Sequence, residues 1–341
     1  MARETRHNVI VTPKLEKRIN EENKILLKDF INYLRSLQRS ETTIAAYEND
    51  IKISFCWNVE HNYNKPFVNW TKRNVVAFQD WLLNENGNSP ARVRRLKASL
   101  SSLSNFICNV LDDEYPNFKN IITKVESPLN VPVREKTVFT EEQIDELLHI
   151  LSERGRYDQA CAVALALYSG RRKSELLRFK VTDFDEAHLV CDGALYKSDP
   201  IKTKGRGVNG KMLECFTLAN KFKPYFDAWM ERRKEKGIES IWLFPSLTNP
   251  EEPCNTSTLD SWAEKFGKIM NENFYWHAMR HMTVTNFKRA GIPDTVIQQY
   301  IGWSDLSMIP IYSDLKADEQ LSMYFTANGI EAPKPKSLAE L

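Results

Sequence analysis

The chain has 341 residues, 42% of them hydrophobic and 27% charged, with a formal net charge of +2. That length suits two domains or one large one, and no apolar run approaches the ~20 residues of a membrane-spanning helix. The opening Met1-Ala2-Arg3-Glu4-Thr5-Arg6 lacks the apolar stretch of a secretory signal, and six scattered cysteines without a CxxC pair point to neither a zinc site nor a disulfide framework, which fits a reducing cytosol.

Residues 1–13 are polar and unpatterned and read as a flexible N-terminal tail ending at Pro13. From Lys14 to Leu37, apolar residues recur at helical spacing (Ile25, Leu26, Phe30, Ile31, Leu34) and predict one helix. Ser40-Glu41-Thr42-Thr43 supplies an N-cap for a second helix running through Trp57. A third runs from Thr71 through Leu82, Asn86-Gly87-Asn88-Ser89-Pro90 is a turn, and a fourth covers 91–111 with its basic residues in the first half. Four helices with short connections predict a compact helical domain over 14–125.

Residues 126–137 hold two prolines and no periodicity and read as an extended linker. Beyond it, Thr140 is a cap for a helix, Asp158–Tyr168 is apolar enough to be a buried helix, Ser169-Gly170 breaks it, and a short helix follows through Leu177. Short β-prone pieces at 179–181, 189–190, 195–197 and 213–218 predict a small antiparallel sheet, with Pro200–Gly207 as a flexible basic loop. Helical patterns return over 220–236, 258–271, 277–290 and 294–301. The second domain is expected over 138–330, with a tail at 331–341.

The charge is unevenly distributed: residues 1–140 carry +5 and residues 141–341 carry −3. Basic clusters stand at Arg92/Arg94/Arg95/Lys97, Arg171/Arg172/Lys173 and Lys202/Lys204/Arg206. Focused positive patches on a near-neutral chain suit contact with a phosphate backbone, although any one of them taken singly equals a solvated helix face or hairpin tip. Near the C-terminal end, His277 and Arg280 stand three apart on a helix and so share a face, with His281, Gly302-Trp303 and Tyr312 following. An imidazole and a guanidinium can hold a phosphate while a phenol attacks it.

Gly170-Arg171-Arg172-Lys173-Ser174-Glu175-Leu176, a hairpin lysine, His277-x-x-Arg280-His281, Gly302-Trp303 and Tyr312, in that order, resemble the tyrosine recombinase (phage integrase) family. The nine-residue interval from Trp303 to Tyr312 is the one the family uses. The resemblance covers the whole chain, because the upstream helices resemble the family's core-binding domain. It implies a mainly α fold with a small antiparallel β-sheet, built from an N-terminal helical (SAM-like) core-binding domain and an α+β catalytic domain. The short leader points to a two-domain layout like that of Cre or Xer-type proteins.

The same resemblance implies the roles. The Gly-x-Arg-x-Ser-Glu spacing selects Arg172, with Arg280, as the phosphate clamp, and leaves Arg171 to contact DNA or solvent. Arginine suits this work because its fork donates two parallel hydrogen bonds to phosphate and stays charged. Tyr312 is the nucleophile and His277 the catalytic histidine, with His281 a structural or secondary contact. Trp303 stands where the family carries histidine or tryptophan, and its indole N–H donates but cannot act as a base. Lys202 is the first choice for protonating the leaving oxygen, Lys204 its rival and Lys197 a third. Glu175 either orients Arg172 or a histidine, or forms an ordinary helical pair with Arg178 or Arg172. Arg92, Arg94, Arg95, Lys97, Arg171, Lys173 and Arg206 are the expected DNA contacts.

The implied partners are double-stranded DNA with inverted-repeat core sites and three further copies of the chain, assembled through the C-terminal segment, where Leu321, Met323, Tyr324 and Phe325 fall at helical spacing. Accessory DNA-bending or directionality factors stay open. No membrane, metal or cofactor is implied, in keeping with a sequence that shows neither a Walker A loop nor a metal-ligand cluster. The expected location is the cytoplasm, in association with the nucleoid. A type IB topoisomerase and a catalytically silent DNA-binding protein are the alternatives.

Overall fold

The computed structural model describes residues 9–129, 137–203, 210–322, 324–326 and 329–330. The chain divides near residue 135 into two compact units.

The first unit is helical: α1 (Pro13–Arg18), α2 (Glu21–Ser36), α3 (Glu41–His61), α4 (Lys72–Asp80) and α5 (Pro90–Val110). The single helix expected over Lys14–Leu37 is two. Asn20 interrupts it in extended backbone, its side chain accepting from Asn23 N–H and donating to the Asn64 carbonyl at 2.6 Å. A short polar side chain that bonds the backbone locally competes with helix continuation, and apolar periodicity does not register it. Ser40 caps α3 through the Thr43 N–H, and Ser89 caps α5 with Pro90 in the first turn, where a missing N–H costs nothing. One aromatic-rich core (Phe30, Phe55, Trp57, Phe67, Trp70, Phe78) packs against the α5 stripe Val93, Leu96, Leu100 and Leu103.

The second unit is built around α7 (Tyr157–Ser169), which is apolar on every side. A helix of that kind must be covered all round, and α6 (Glu141–Glu153), α9 (Ala219–Glu235) and α11 (Trp276–Arg289) pack on it. Thr140 caps α6 in a capping box with Gln143. The remaining helices are α8 (Lys173–Leu176), α10 (Thr256–Met270), α12 (Asp294–Ile301), α13 (Ile309–Tyr312) and α14 (Ala317–Ser322).

The β pieces form two small antiparallel sheets where one was expected. β1 (Leu189–Val190), β2 (Leu195–Lys197) and β5 (Phe216–Leu218) make one, in the order β1-β2-β5. β3 (Ile201–Thr203) and β4 (Lys211–Leu213) pair as a separate hairpin, with Lys202 opposite Met212. The first residues of the expected basic loop are therefore a strand, and the loop's Lys204 and Arg206 lie outside the described residues. The piece at 179–181 makes only an isolated bridge, Lys180 to Trp242, because the Asp183 carboxylate accepts from Lys180 N–H and turns the chain into a 3-10 helix.

The helical spacing at Leu321–Phe325 does not persist. α14 stops at Ser322, and Phe325–Thr326 (β6) pairs with Gly329–Ile330 (β7). Strand pairing of a β-prone Phe-Thr dipeptide overrides the helical spacing there. No helix among the described residues is long and apolar enough to cross a membrane.

Candidate active site

α11 places His277, Arg280 and His281 on one face, one turn apart. The His277 Nε2 lies 2.6 Å from the Tyr312 hydroxyl. His281 stacks on the Tyr312 ring at 4.5 Å between centroids, and its Nδ1 lies 3.2 Å from the Tyr312 carbonyl oxygen. Two residues on, the Asp314 N–H donates to Thr285 Oγ1 of α11. The tyrosine thus sits on a four-residue helix tied to α11 through its own carbonyl and through the Asp314 N–H, with an imidazole nitrogen within hydrogen-bond reach of its hydroxyl.

Arg280 is fully buried. Its Nη1 donates to the Gly170 carbonyl at 2.8 Å, while its Nε and Nη2 are buried without a hydrogen-bond partner among the described residues. Its guanidinium lies 5.0 Å from the Trp303 ring centroid and 5.4 Å from that of Tyr312. Burial, and next the Arg172 guanidinium, hold Arg280 down to about 10. Trp303 is also buried, with its Nε1 unpartnered among the described residues and its ring 4.9 Å from Tyr312. Buried N–H groups are almost always paired, and an unpaired one costs about 1–3 kcal/mol. Three such donors, on two side chains that flank one phenol, form a cradle for an anion.

Arg172 reaches the site from another direction. α7 ends at Gly170 with φ +62°, and Arg172 then begins α8. Glu175, buried, accepts from both the Arg172 backbone N–H and its Nη1, each at 3.1 Å. The partner of Glu175 is thus Arg172, which both readings of this residue allow, whereas Arg178 donates to the Lys202 carbonyl. A buried carboxylate that grips both ends of an arginine leaves the partly exposed guanidinium aimed in one direction.

Lys202 is exposed on β3, at the hairpin expected of the general acid, and Lys197 pairs with Glu214 at 2.9 Å. Two of the residues expected to contact DNA are buried with their cationic groups on backbone carbonyls. Lys97 is buried, its ammonium held by Gln79 and the carbonyls of Val125 and Glu126, so it ties α5 to the chain after it. Arg171 is buried too, donating to the carbonyls of Tyr300 and Ile301. Sequence reasoning placed both outside because their side chains are charged. Arg92 and Arg95 remain partly exposed, but both pair with the buried Asp50, at 3.2 and 3.1 Å, which sequence reasoning missed altogether. Its signal was an acid directly beside Ile51 on the inward face of α3. Arg94 donates to the Pro128 carbonyl, and Lys173 pairs with Asp260 at 2.6 Å.

A model of the phage integrase family matches residues 137–319, and a model of the phage integrase N-terminal SAM-like domain matches 26–117. The chain is 27% identical over 260 residues to the SPbeta prophage-derived recombinase-like protein YomM of Bacillus subtilis, covering 75% of this chain and 74% of that protein. It is 24% identical over 304 residues to a tyrosine recombinase of Thermosipho africanus, covering 86% and 96%. Among solved structures, the Tn1549 transposon integrase in complex with circular intermediate DNA superposes with a TM-score of 0.63 at 17% identity, covering 88% of this chain and 97% of that one. The XerH recombinase in a post-cleavage complex with its difH substrate gives 0.62 at 14% identity, covering 89% and 96%.

Proposed function

The chain belongs to the phage integrase family, and from that premise we propose that it moves a mobile element into and out of DNA, or resolves replicon multimers, through a 3′-phosphotyrosine formed on Tyr312. The enzyme is a tyrosine site-specific recombinase. The observation that carries the assignment of residues is the 2.6 Å contact of His277 with the Tyr312 hydroxyl beside the two unpartnered N–H groups of Arg280.

The scissile phosphate lies against Arg280, Trp303 and Arg172. Arg280 and Trp303 donate to its non-bridging oxygens through the N–H groups that have no partner among the described residues, and Arg172 donates from the side fixed by Glu175. A phenol near its ordinary pKa of ~10 is a poor nucleophile at neutral pH. His277 takes the phenol proton as the Tyr312 oxygen forms its bond to phosphorus. Negative charge grows on the phosphate oxygens as the bond to the 5′ oxygen breaks, and the arginines neutralise it where it develops. Lys202 gives its proton to the departing 5′ oxygen. The free 5′-hydroxyl of a partner strand then attacks the phosphotyrosine, rejoining DNA without ATP because the phosphodiester bond energy is conserved.

Two such exchanges need four protomers on paired inverted-repeat sites, which makes a homotetramer on DNA the working assembly and the cytoplasm its place. The prophage-derived relative favours the mobile-element role. The test is a duplex carrying the inverted repeats that flank the gene, nicked beside the scissile phosphate so that the 5′ product diffuses away. Wild type is expected to leave a protease-sensitive adduct on the DNA 3′ end, and Tyr312→Phe none. No adduct from wild type, or an undiminished one from Tyr312→Phe, sinks the reading.

A further inference from the structure

Arg171 is a fully buried arginine that meets no carboxylate among the described residues. Its Nη2 donates to the Tyr300 carbonyl at 2.5 Å and its Nη1 to the Ile301 carbonyl at 3.3 Å. These are carbonyls of the last turn of α12, which have no partner within their own helix. The C-terminal end of a helix is also where a cation is favoured. The helix closes immediately afterwards, with Gly302 N–H bonded to Gln299 and Trp303 N–H to Gln298. The guanidinium therefore grips the turn that sets down Trp303, while the next residue along its own backbone is Arg172.

Three further contacts join the same two turns. The Tyr300 hydroxyl donates to the Tyr168 carbonyl at 2.5 Å. A Cβ at Gly170 would stand 2.5 Å from Ile301 Cδ1, and one at Gly302 would stand 3.0 Å from Leu213 Cδ1 and 3.3 Å from Arg171 Nη1. Both glycines adopt left-handed backbone, φ +62° and +72°, which favours glycine by conformation, and a side chain at either would press on these neighbours. Arg280 completes the joint by donating to the Gly170 carbonyl.

We infer that Arg171 is a positioning residue for strand cleavage: by lacing the end of α7 to the end of α12 it holds Arg172 and Trp303 at the spacing one phosphate requires. An apolar side chain would fill the same volume but leave two helix-end carbonyls buried and the two turns joined by packing alone. This inference rests on the proposed cleavage by Tyr312 and adds to it a residue that touches neither DNA nor the reacting atoms.

The test compares wild type, Arg171→Met and Arg171→Lys on the nicked duplex, measuring DNA affinity and the single-turnover rate of adduct formation separately. Arg171→Met is expected to bind within about twofold of wild type and to cleave about tenfold to a hundredfold more slowly, the range that a misplacement of about 1 Å costs. Arg171→Lys, which keeps the charge and one donor to the carbonyls, should recover part of the rate. A general structural role would lower the amount of active protein without changing the rate of what remains, and would show as a reduced adduct end-point at a wild-type rate. If Arg171→Met does not fold, Arg171→Lys decides: slowed cleavage at wild-type affinity supports the inference, and a wild-type rate overturns it. Failure of wild type to form any adduct would overturn the cleavage reading and this inference together, whereas normal cleavage by a folded Arg171→Met overturns this inference alone.

Discussion

Arg92 and Arg95 in the first unit and Arg280 in the second meet their surroundings in opposite ways. In the first, Arg92 and Arg95 converge on the carboxylate of Asp50, which also accepts from Ser99 Oγ at 2.9 Å. The two guanidiniums there share one carboxylate supplied by the chain itself. In the second, Arg280 is buried more deeply, meets no carboxylate among the described residues, and keeps two N–H groups unpartnered. A buried charge met by a carboxylate is part of the architecture, whereas the donors that Arg280 leaves unpartnered among the described residues are a cost that an anionic ligand would remove.

That contrast breaks most visibly at Arg280. Arg280→Met should cut adduct formation by the equivalent of about 2.7–4 kcal/mol, typical of losing one transition-state donor. Its midpoint in a denaturant melt should hold or rise, because an apolar replacement ends the burial of an uncompensated cation. A variant that melts early and cleaves normally would abolish the distinction between the units. Asp50→Asn should behave in the reverse sense. It leaves the rate of cleavage by bound protein unchanged and lowers stability by about 1.5–3 kcal/mol, the range for hydrogen bonds to a charged group, in the same denaturant melt. Unchanged stability would mean that the two arginines are indifferent to their carboxylate. The smallest effect belongs to Trp303→Phe, which keeps a ring against Arg280 and Tyr312 but removes the unpartnered N–H. A loss of about 0.5–1.5 kcal/mol in adduct formation is expected, and an unaltered single-turnover rate would show that this N–H meets no phosphate.

The family and its helical-plus-small-sheet fold were legible because the relevant signals are local. His277 and Arg280 meet by helical spacing, Gly170 announces the end of α7, and Ser40 and Thr140 cap the helices that follow them. What was misread depends on facing or on partners far along the chain. Lys97 lies four residues after Val93 and three before Leu100, on the inward stripe of α5, so its burial was readable had position been weighed above charge. Arg171 lies in a turn, where no periodicity says which way a side chain points, and its partners are near residue 300. The division into two small sheets rests on strands of two or three residues, too short for composition to assign their pairing.

Gly170 and Gly302 each lack the side chain whose space the other's turn occupies: Ile301 fills the first and Arg171 lies against the second. The joint is therefore a single transplantable part made of two distant segments. A chimera that takes the Gly170–Glu175 stretch from one relative and the Tyr300–Trp303 stretch from another inherits halves shaped for different counterparts. Grafting both stretches together with Tyr168, Leu213 and Arg280 keeps matched counterparts.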